Sequence, residues 1–390
     1  MTVHAATRGP VHRTERALAP DLARGGMLLF IAVANALGCV AGGMPGFVPS
    51  ASGIDRGLDF FMFTFVHSRA YPVFAVMFGY GLVQLARRQE RAGAEPRQVR
   101  SVLLRRNAWL VGFGLVHGVL LYFGDFLGAY GLVGIVATLL LLQRSDRVYR
   151  FVPWIWGFQL VYALVLFVIT LTGVTTGTAS VPFEQVGSLV APDYATSVLD
   201  RLGEWPTHTA TVLGFILIVW LGMWAARKRL LEDPASNRVL LRRVAIGGLS
   251  IAAAGGLPIA LVSAGALSVD EPSASAMLML HGVSGMFAGP GYVALFGLLA
   301  LRLTKPSPFV GSIAALGQRS LSGYLLQSVV WLLALAPFTL ALGTRFGSPT
   351  VTAILLAVVV WLVSVFAAGK LGSRPGPAEF VLRRLTYGRR

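Results

Sequence analysis

Acidic residues are scarce in this chain: 17 Asp and Glu stand against 33 Lys and Arg, and charged residues make up only 13% of its 390 positions. A soluble domain carries roughly 25% charge, so the chain lacks the polar surface to cover itself in water. Lysine is nearly missing, with Lys228, Lys305 and Lys370 alone, so the basic balance is carried by arginine. The single cysteine, Cys39, sits in an apolar run, which excludes a disulfide scaffold and thiolate metal sites. No glycine-rich phosphate loop, His/Glu metal spacing, nucleophile elbow or zinc pattern is present. Those gaps argue against ATP-driven pumping and a bound metal, and no selectivity-filter or voltage-sensor pattern suggests a gated channel. What is abundant is apolar: 55% hydrophobic residues with a net charge of +16, and a mean hydropathy of +0.69. Such basicity suits nucleic acid or a membrane. The hydropathy selects the membrane.

The polar, arginine-bearing start has no apolar stretch before Met27 and does not read as a cleavable signal. Residues 1–20 are expected to be a disordered cytoplasmic tail, 21–370 a transmembrane helical bundle, and 371–390 a cytoplasmic interfacial segment. Spanning a bilayer takes roughly 20 mostly apolar residues. Ten stretches qualify, at about 25–44, 60–86, 103–122, 126–143, 151–174, 207–226, 243–266, 277–301, 313–336 and 350–369. The fold class expected is therefore all-α, a polytopic bundle of about ten transmembrane helices. The second stretch holds His67, Arg69 and Pro72, so it is expected to kink or to begin as a short interfacial helix. Arginines cluster in the N-terminal tail, after even-numbered spans and in the C-terminal tail, while the odd-numbered connections carry the acids. By the positive-inside rule this alternation places both termini in the cytoplasm of a plasma membrane. The long connection 175–206 is expected to hold a re-entrant or interfacial helix.

Ionisable groups at membrane depth are costly and default to functional candidates. Arg24 stands at the mouth of span one, either fixing orientation or holding a substrate group. Asn35 lies about 16 Å further along at 1.5 Å per residue, near the midplane, as an interhelical amide or a site residue. Arg69 suits an anionic group through its guanidinium fork or snorkels at the interface, and His67 is read as surface-exposed. His117 is placed to act as a base or to pack as a polar core residue. Asp125, eight residues on, reads first as the N-terminal cap of span four, and meets His117 only if the helix ends early or bends. Arg319 lies at a cytoplasmic end. Tyr324 with Gln327 or Ser328 shares one helix face. His281 and Gln159 are read as isolated and structural. Near the end, Pro377 and Glu379 open a short arginine-bearing helix at the membrane surface, either an anchor to anionic lipids or a site for a phosphorylated donor.

Five segments in order, DLARGG…N, RAYPVFAVMFGYG, RRNAWLVGFGLVHGVLLYFGDFLGAYGLVG, GQRSLSGYLLQS and GPAEFVLRRLTYG, resemble the bacterial YeiB-like membrane proteins, the family defined by the DUF418 domain. The resemblance runs from about residue 20 to 388. That family is similar in turn to transmembrane acyltransferases, which take an acyl group from cytoplasmic acyl-CoA and pass it across the membrane. Sugar O-acyltransferases of that group show an arginine, ten intervening residues and then a histidine in their first span. Here Arg24 is followed at that spacing by Asn35, so the base has to come from elsewhere, and His117 is the candidate.

The resemblance implies an acyltransferase using acyl-CoA (acetyl-CoA) as co-substrate rather than a tightly bound cofactor. Its acceptor would be a sugar, lipid or small metabolite bearing a hydroxyl or amine. His117, Asn35 and Asp125 would form the catalytic set, with Arg24, Arg69, Arg105, Arg106, Arg319, Tyr324, Gln327 and Glu379 binding donor or substrate. The YeiB-like resemblance also implies a rival, a transporter or exporter of a small metabolite. A structural membrane protein without turnover is the third. Nucleic acid is not an expected partner; membrane lipids, anionic ones included, are.

Overall fold

The computed structural model describes residues 18–49, 53–303 and 305–388. The architecture is all-α. Its helices are α1 Leu18–Ala41, α2 Gly53–Phe65, α3 Ala70–Arg91, α4 Pro96–Leu120, α5 Leu127–Leu140, α6 Asp146–Tyr149, α7 Val152–Thr172, α8 Gly187–Val190 and α9 Tyr194–Val212. There follow α10 Ile216–Arg227, α11 Arg238–Ser263, α12 Glu271–Gly285, α13 Ala288–Arg302, α14 Pro308–Gly317, α15 Ser320–Ala334, α16 Leu342–Arg345, α17 Pro349–Lys370 and α18 Pro377–Tyr387. A two-residue antiparallel ladder joins β1 (Gly43–Met44) to β2 (Glu184–Gln185).

Each of the ten apolar stretches falls on a helix or an interrupted helix. Among the described residues, seven of these are long and apolar enough to cross a membrane by length and composition, and α5, α14 and α15 are shorter apolar helices. The third stretch lies on α4, whose first half carries Arg97, Arg100, Arg105 and Arg106. The expected N-terminal tail ends in helix, since Leu18–Pro20 open α1; the rest of it lies outside the described residues. Such a chain is a multi-pass membrane protein. Its surface agrees: α7 exposes Trp154, Phe158 and Ile169 and buries only Val152, Ala163 and Thr170. A helix apolar on all faces and exposed along its length needs lipid as its solvent.

Several spans are broken, and the breaks position the polar groups. The second parts at Val66–Arg69, where Ser68 takes a left-handed φ of +59°, and Pro72 then falls in the first turn of α3, where its missing N–H costs nothing. The expected interfacial helix in 175–206 is α8 plus the start of α9, but α9 runs on past Pro206 and continues through a 3₁₀ turn into α10. Span nine parts at Gln318–Arg319 into α14 and α15.

Close helix pairs rest on small residues, as lipid-embedded bundles require. A Cβ on Gly317 would lie 1.8 Å from the Asp21 carbonyl, and one on Gly25 would lie 2.0 Å from that of Ile313, so α1 and α14 touch backbone to backbone. Gly79 and Gly222 do the same for α3 and α10, at 2.0 Å from the Val219 carbonyl and 2.1 Å from the Val76 carbonyl.

Many arginines at one end are held by helix C-termini. Arg87 donates to the Ala226 and Arg227 carbonyls at 2.9 and 3.2 Å. Arg227 donates to those of Leu142 and Arg144, both at 2.9 Å, pairs with Asp146 at 2.8 Å and lies 3.9 Å over the Tyr149 ring. These contacts close orphan carbonyls and suit the negative helix end.

At the other end Asp270 caps α12 by accepting the Ser273 N–H at 3.0 Å, and hydrogen bonds from Ser273 hold its carboxyl below the usual range. A depressed carboxyl contributes stability above its unfolded pKa of about 3.9, lost as pH falls through the folded value. Asp270→Ala is thus expected to lower the thermal midpoint at pH 7, with the difference from wild type shrinking as pH drops below about 4. A pH-independent difference would mean that the cap is not ionic.

Candidate functional site

The tight α4–α5 hairpin builds the centre. At the end of α4 the His117 carbonyl accepts both Leu121 N–H (2.8 Å) and Tyr122 N–H (3.0 Å), the second a wider turn that unwinds the helix. The chain then doubles back, and Asp125 returns to the level of His117 despite eight intervening positions. Asp125 caps α5 as expected: Oδ1 accepts Leu127 N–H at 3.1 Å and Oδ2 accepts Gly128 N–H at 2.7 Å. Its Oδ1 also lies 2.8 Å from His117 Nδ1. The cap and the charge-coupled partner are one residue.

His117 Nε2 lies 2.8 Å from Ser328 Oγ on α15. The Asp125 oxygens meet only donors, so Nδ1 carries the imidazole proton and Nε2 presents its lone pair to the Ser328 hydroxyl. His117, Asp125 and Ser328 are 1%, 0% and 1% exposed. From α9, Trp205 Nε1–H reaches Asp125 Oδ2 at 3.4 Å. Its indole fits because Gly118 and Gly128 are bare: a Cβ there would lie 1.9 Å and 2.8 Å from ring carbons. Arg201 and Tyr194, also on α9, both donate to the Leu120 carbonyl at 3.0 Å and fasten this roof over the hairpin.

A cavity of about 310 Å³ approaches the centre from the arginine-rich end. Arg24, Arg106, Arg383, Gln84 and Glu379 line one part of it, and Tyr71, Phe126, Leu127, Tyr130 and Tyr324 the other. Arg24 bonds the Met77 carbonyl at 3.0 Å and lies 3.6 Å from Asp21, and Arg106 sits 5.9 Å over the Phe78 ring. The Tyr324 ring packs on the His117 ring at 4.9 Å between centroids. Tyr324 therefore separates the cavity from the triad, and its hydroxyl holds Gly124 O at a long 3.5 Å.

Helix α18 lies along this cavity. Glu379 accepts Leu321 N–H at 2.9 Å and Ser322 N–H at 3.2 Å, capping α15, and Arg105 donates to the Thr386 carbonyl at 3.2 Å. Glu379→Ala is expected to loosen α18 and speed tryptic cleavage after Arg383 and Arg384; an unchanged cleavage rate would show that other contacts hold the helix.

The remaining sequence candidates lie elsewhere. Asn35 is half-buried on α1 and not among the cavity's lining residues. Arg105 is exposed outside the cavity, and Arg319 is buried with its guanidinium on the Ala315, Gly372 and Arg374 carbonyls. Gln327 turns to α1, donating to Leu28 O at 3.3 Å, so of the two face-sharing partners of Tyr324 it is Ser328 that meets His117. Arg69 does not snorkel. It is 1% exposed and forks onto the His281 and Ala252 carbonyls at 3.0 and 2.8 Å. His67 is buried rather than surface-exposed, and His281 is not isolated, for Phe63 bridges the two rings at centroid distances of 4.9 and 5.6 Å. Trp205 is not among the sequence candidates, for it lies in the connection 175–206, expected only to hold a re-entrant or interfacial helix.

These features define an all-α multi-pass membrane protein with an Asp–His–Ser centre buried beside a cavity with arginines at one end. Residues 225–389 match DUF418, described as a protein of unknown function, a stretch that includes Tyr324, Ser328 and Glu379. The DUF418 resemblance read from the sequence is borne out there. The uncharacterized protein YxaH of Bacillus subtilis (strain 168) is 24% identical over 347 residues, covering 83% of this chain and 80% of the relative.

Proposed function

We propose that this protein is a plasma-membrane acyltransferase moving an acyl group from cytoplasmic acyl-CoA to a hydroxyl or amine acceptor. The observation that carries the reading is His117, held between Asp125 and Ser328 behind Tyr324, whose ring lines a cavity that also takes in Arg24, Arg106 and Arg383. An imidazole oriented by a carboxylate removes a proton from an attacking hydroxyl or amine, a contribution of about 10²–10⁴-fold. Guanidinium groups suit the phosphates of a CoA donor. In this reading the arginine-rich end is cytoplasmic, both termini lie there and the chain crosses ten times. Asn35 would need to turn toward the cavity to act on the thioester, and Arg69 supports helix packing.

A second reading, export or uptake of a small metabolite, is favoured by the interrupted helices, which in transporters frame a midplane binding site. One experiment separates them. Purified protein in lipid nanodiscs is titrated with acetyl-CoA and followed for binding and CoA release. Saturable binding with release supports transfer. No binding, together with solute flux in proteoliposomes, sinks it.

A further inference from the structure

We propose that Ser328 is a nucleophile that carries the acyl group as an ester between donor and acceptor. The inference rests on the acyl-transfer reading and adds a covalent intermediate to it.

Hydroxyls in this bundle commonly satisfy themselves on the carbonyl four residues back, the usual habit of helical Ser and Thr. Thr138 bonds Gly134 O at 2.6 Å, Ser364 bonds Val360 O at 2.7 Å and Thr386 bonds Leu382 O at 2.7 Å. Ser328 instead reaches across to His117 Nε2, 211 positions away in the chain. The result is a hydroxyl, an imidazole and a carboxylate in the order that activates a serine. Because the Ser328 hydroxyl occupies Nε2, an acceptor cannot hand its proton to that nitrogen without first displacing the serine. The hydroxyl already in line for attack is the protein's own.

Access supports two half-reactions. The cavity comes from the arginine-rich end, whereas Trp205 and the α9 contacts roof the hairpin at the other. A covalent ester lets the donor leave before the acceptor enters. At 0–1% exposure the three groups are also shielded from water, which would hydrolyse the ester. Tyr324 is the part that has to move, and its 3.5 Å contact to Gly124 O is at the weak limit of a hydrogen bond.

In the first step Ser328 Oγ attacks the thioester carbonyl carbon while His117 Nε2 takes the hydroxyl proton. The tetrahedral adduct collapses, the carbon–sulfur bond breaks, and His117 returns the proton to the departing sulfur. The products are acyl-Ser328 and free CoA thiol. In the second step an acceptor hydroxyl or amine gives its proton to His117 and attacks the ester carbon; Ser328 leaves and recovers the proton. Asp125 holds the imidazole in register and stabilises its charged form throughout.

The test is full-length protein in nanodiscs with radiolabelled acetyl-CoA and no acceptor, acid-quenched and mapped by peptide mass spectrometry. The expected result is a stoichiometric burst of CoA thiol and one acetyl group on the Ser328 peptide, released by alkaline hydroxylamine. Ser328→Ala should carry no label. Ser328→Cys should carry it as a thioester released by neutral hydroxylamine, and that variant keeps the proposal falsifiable if alanine impairs folding. CoA release without label on Ser328, with Ser328→Ala turning over as wild type does, overturns the proposal and leaves acyl transfer standing. Label on His117 instead also overturns it. Neither CoA release nor label, with saturable acetyl-CoA binding retained, overturns the covalent intermediate alone; loss of that binding as well removes both.

Discussion

His117→Ala is expected to slow CoA release from acetyl-CoA by about 10²–10⁴-fold, the range for losing a positioned base. The loss should fall on turnover rather than on donor binding, because the arginines near α18 are on the far side of Tyr324 from His117. Folding should suffer less than chemistry. With the ring gone, Asp125 keeps its N–H donors from Leu127 and Gly128, so the cap of α5 survives. Asp125→Ala has the opposite balance, leaving those donors and the His117 ring N–H buried without an acceptor, at a cost of about 1–3 kcal/mol for each unsatisfied group. Measuring CoA release beside thermal unfolding distinguishes the two. If His117→Ala turns over normally while remaining folded, the centre is a structural lock between α4, α5 and α15.

Gly317→Val should prevent assembly of the bundle. Its Cβ would fall 1.8 Å from the Asp21 carbonyl, with the Gly25 N–H 3.0 Å away, and neither backbone group can swing aside as a flexible side chain does. The helices must separate, which opens the α1–α14 seam and removes its packing. A loss of several kcal/mol is expected, beyond the typical overpacking cost of about 1–3 kcal/mol. Gly311→Val is the matched control, since a Cβ there meets nothing within 4 Å. Fluorescence-detected size exclusion should give a monodisperse peak for the control and aggregate for Gly317→Val. Equal peaks would mean that α1 and α14 do not pack in this register.

The helices, the buried-helix position of His117 and the capping role of Asp125 were legible in the sequence, because apolar length and residue type are local properties. The triad was not. Its closure depends on a wide turn at the His117 carbonyl, and eight helical positions would otherwise leave the two groups on different levels. Choosing Ser328 over Gln327 required the rotation of α15 against α4, which both residues satisfy equally by spacing. Arg69 illustrates the opposite error: near a helix start it reads as interfacial, yet the break at Ser68 aims it inward between α11 and α12. The arginines at the far end read as topology signals or donor contacts. Arg87 and Arg227 turn out to serve helix ends as well, a role that spacing cannot reveal across 83 to 140 residues.

The reciprocal seam of Gly79 and Gly222 has a consequence at the level of codons. Any single-base missense change in a glycine codon introduces at least a β-carbon, and at either position that carbon would meet a carbonyl oxygen at 2.0–2.1 Å. The genetic code therefore offers no gentle neighbour to either residue, and the two sites should tolerate synonymous drift alone.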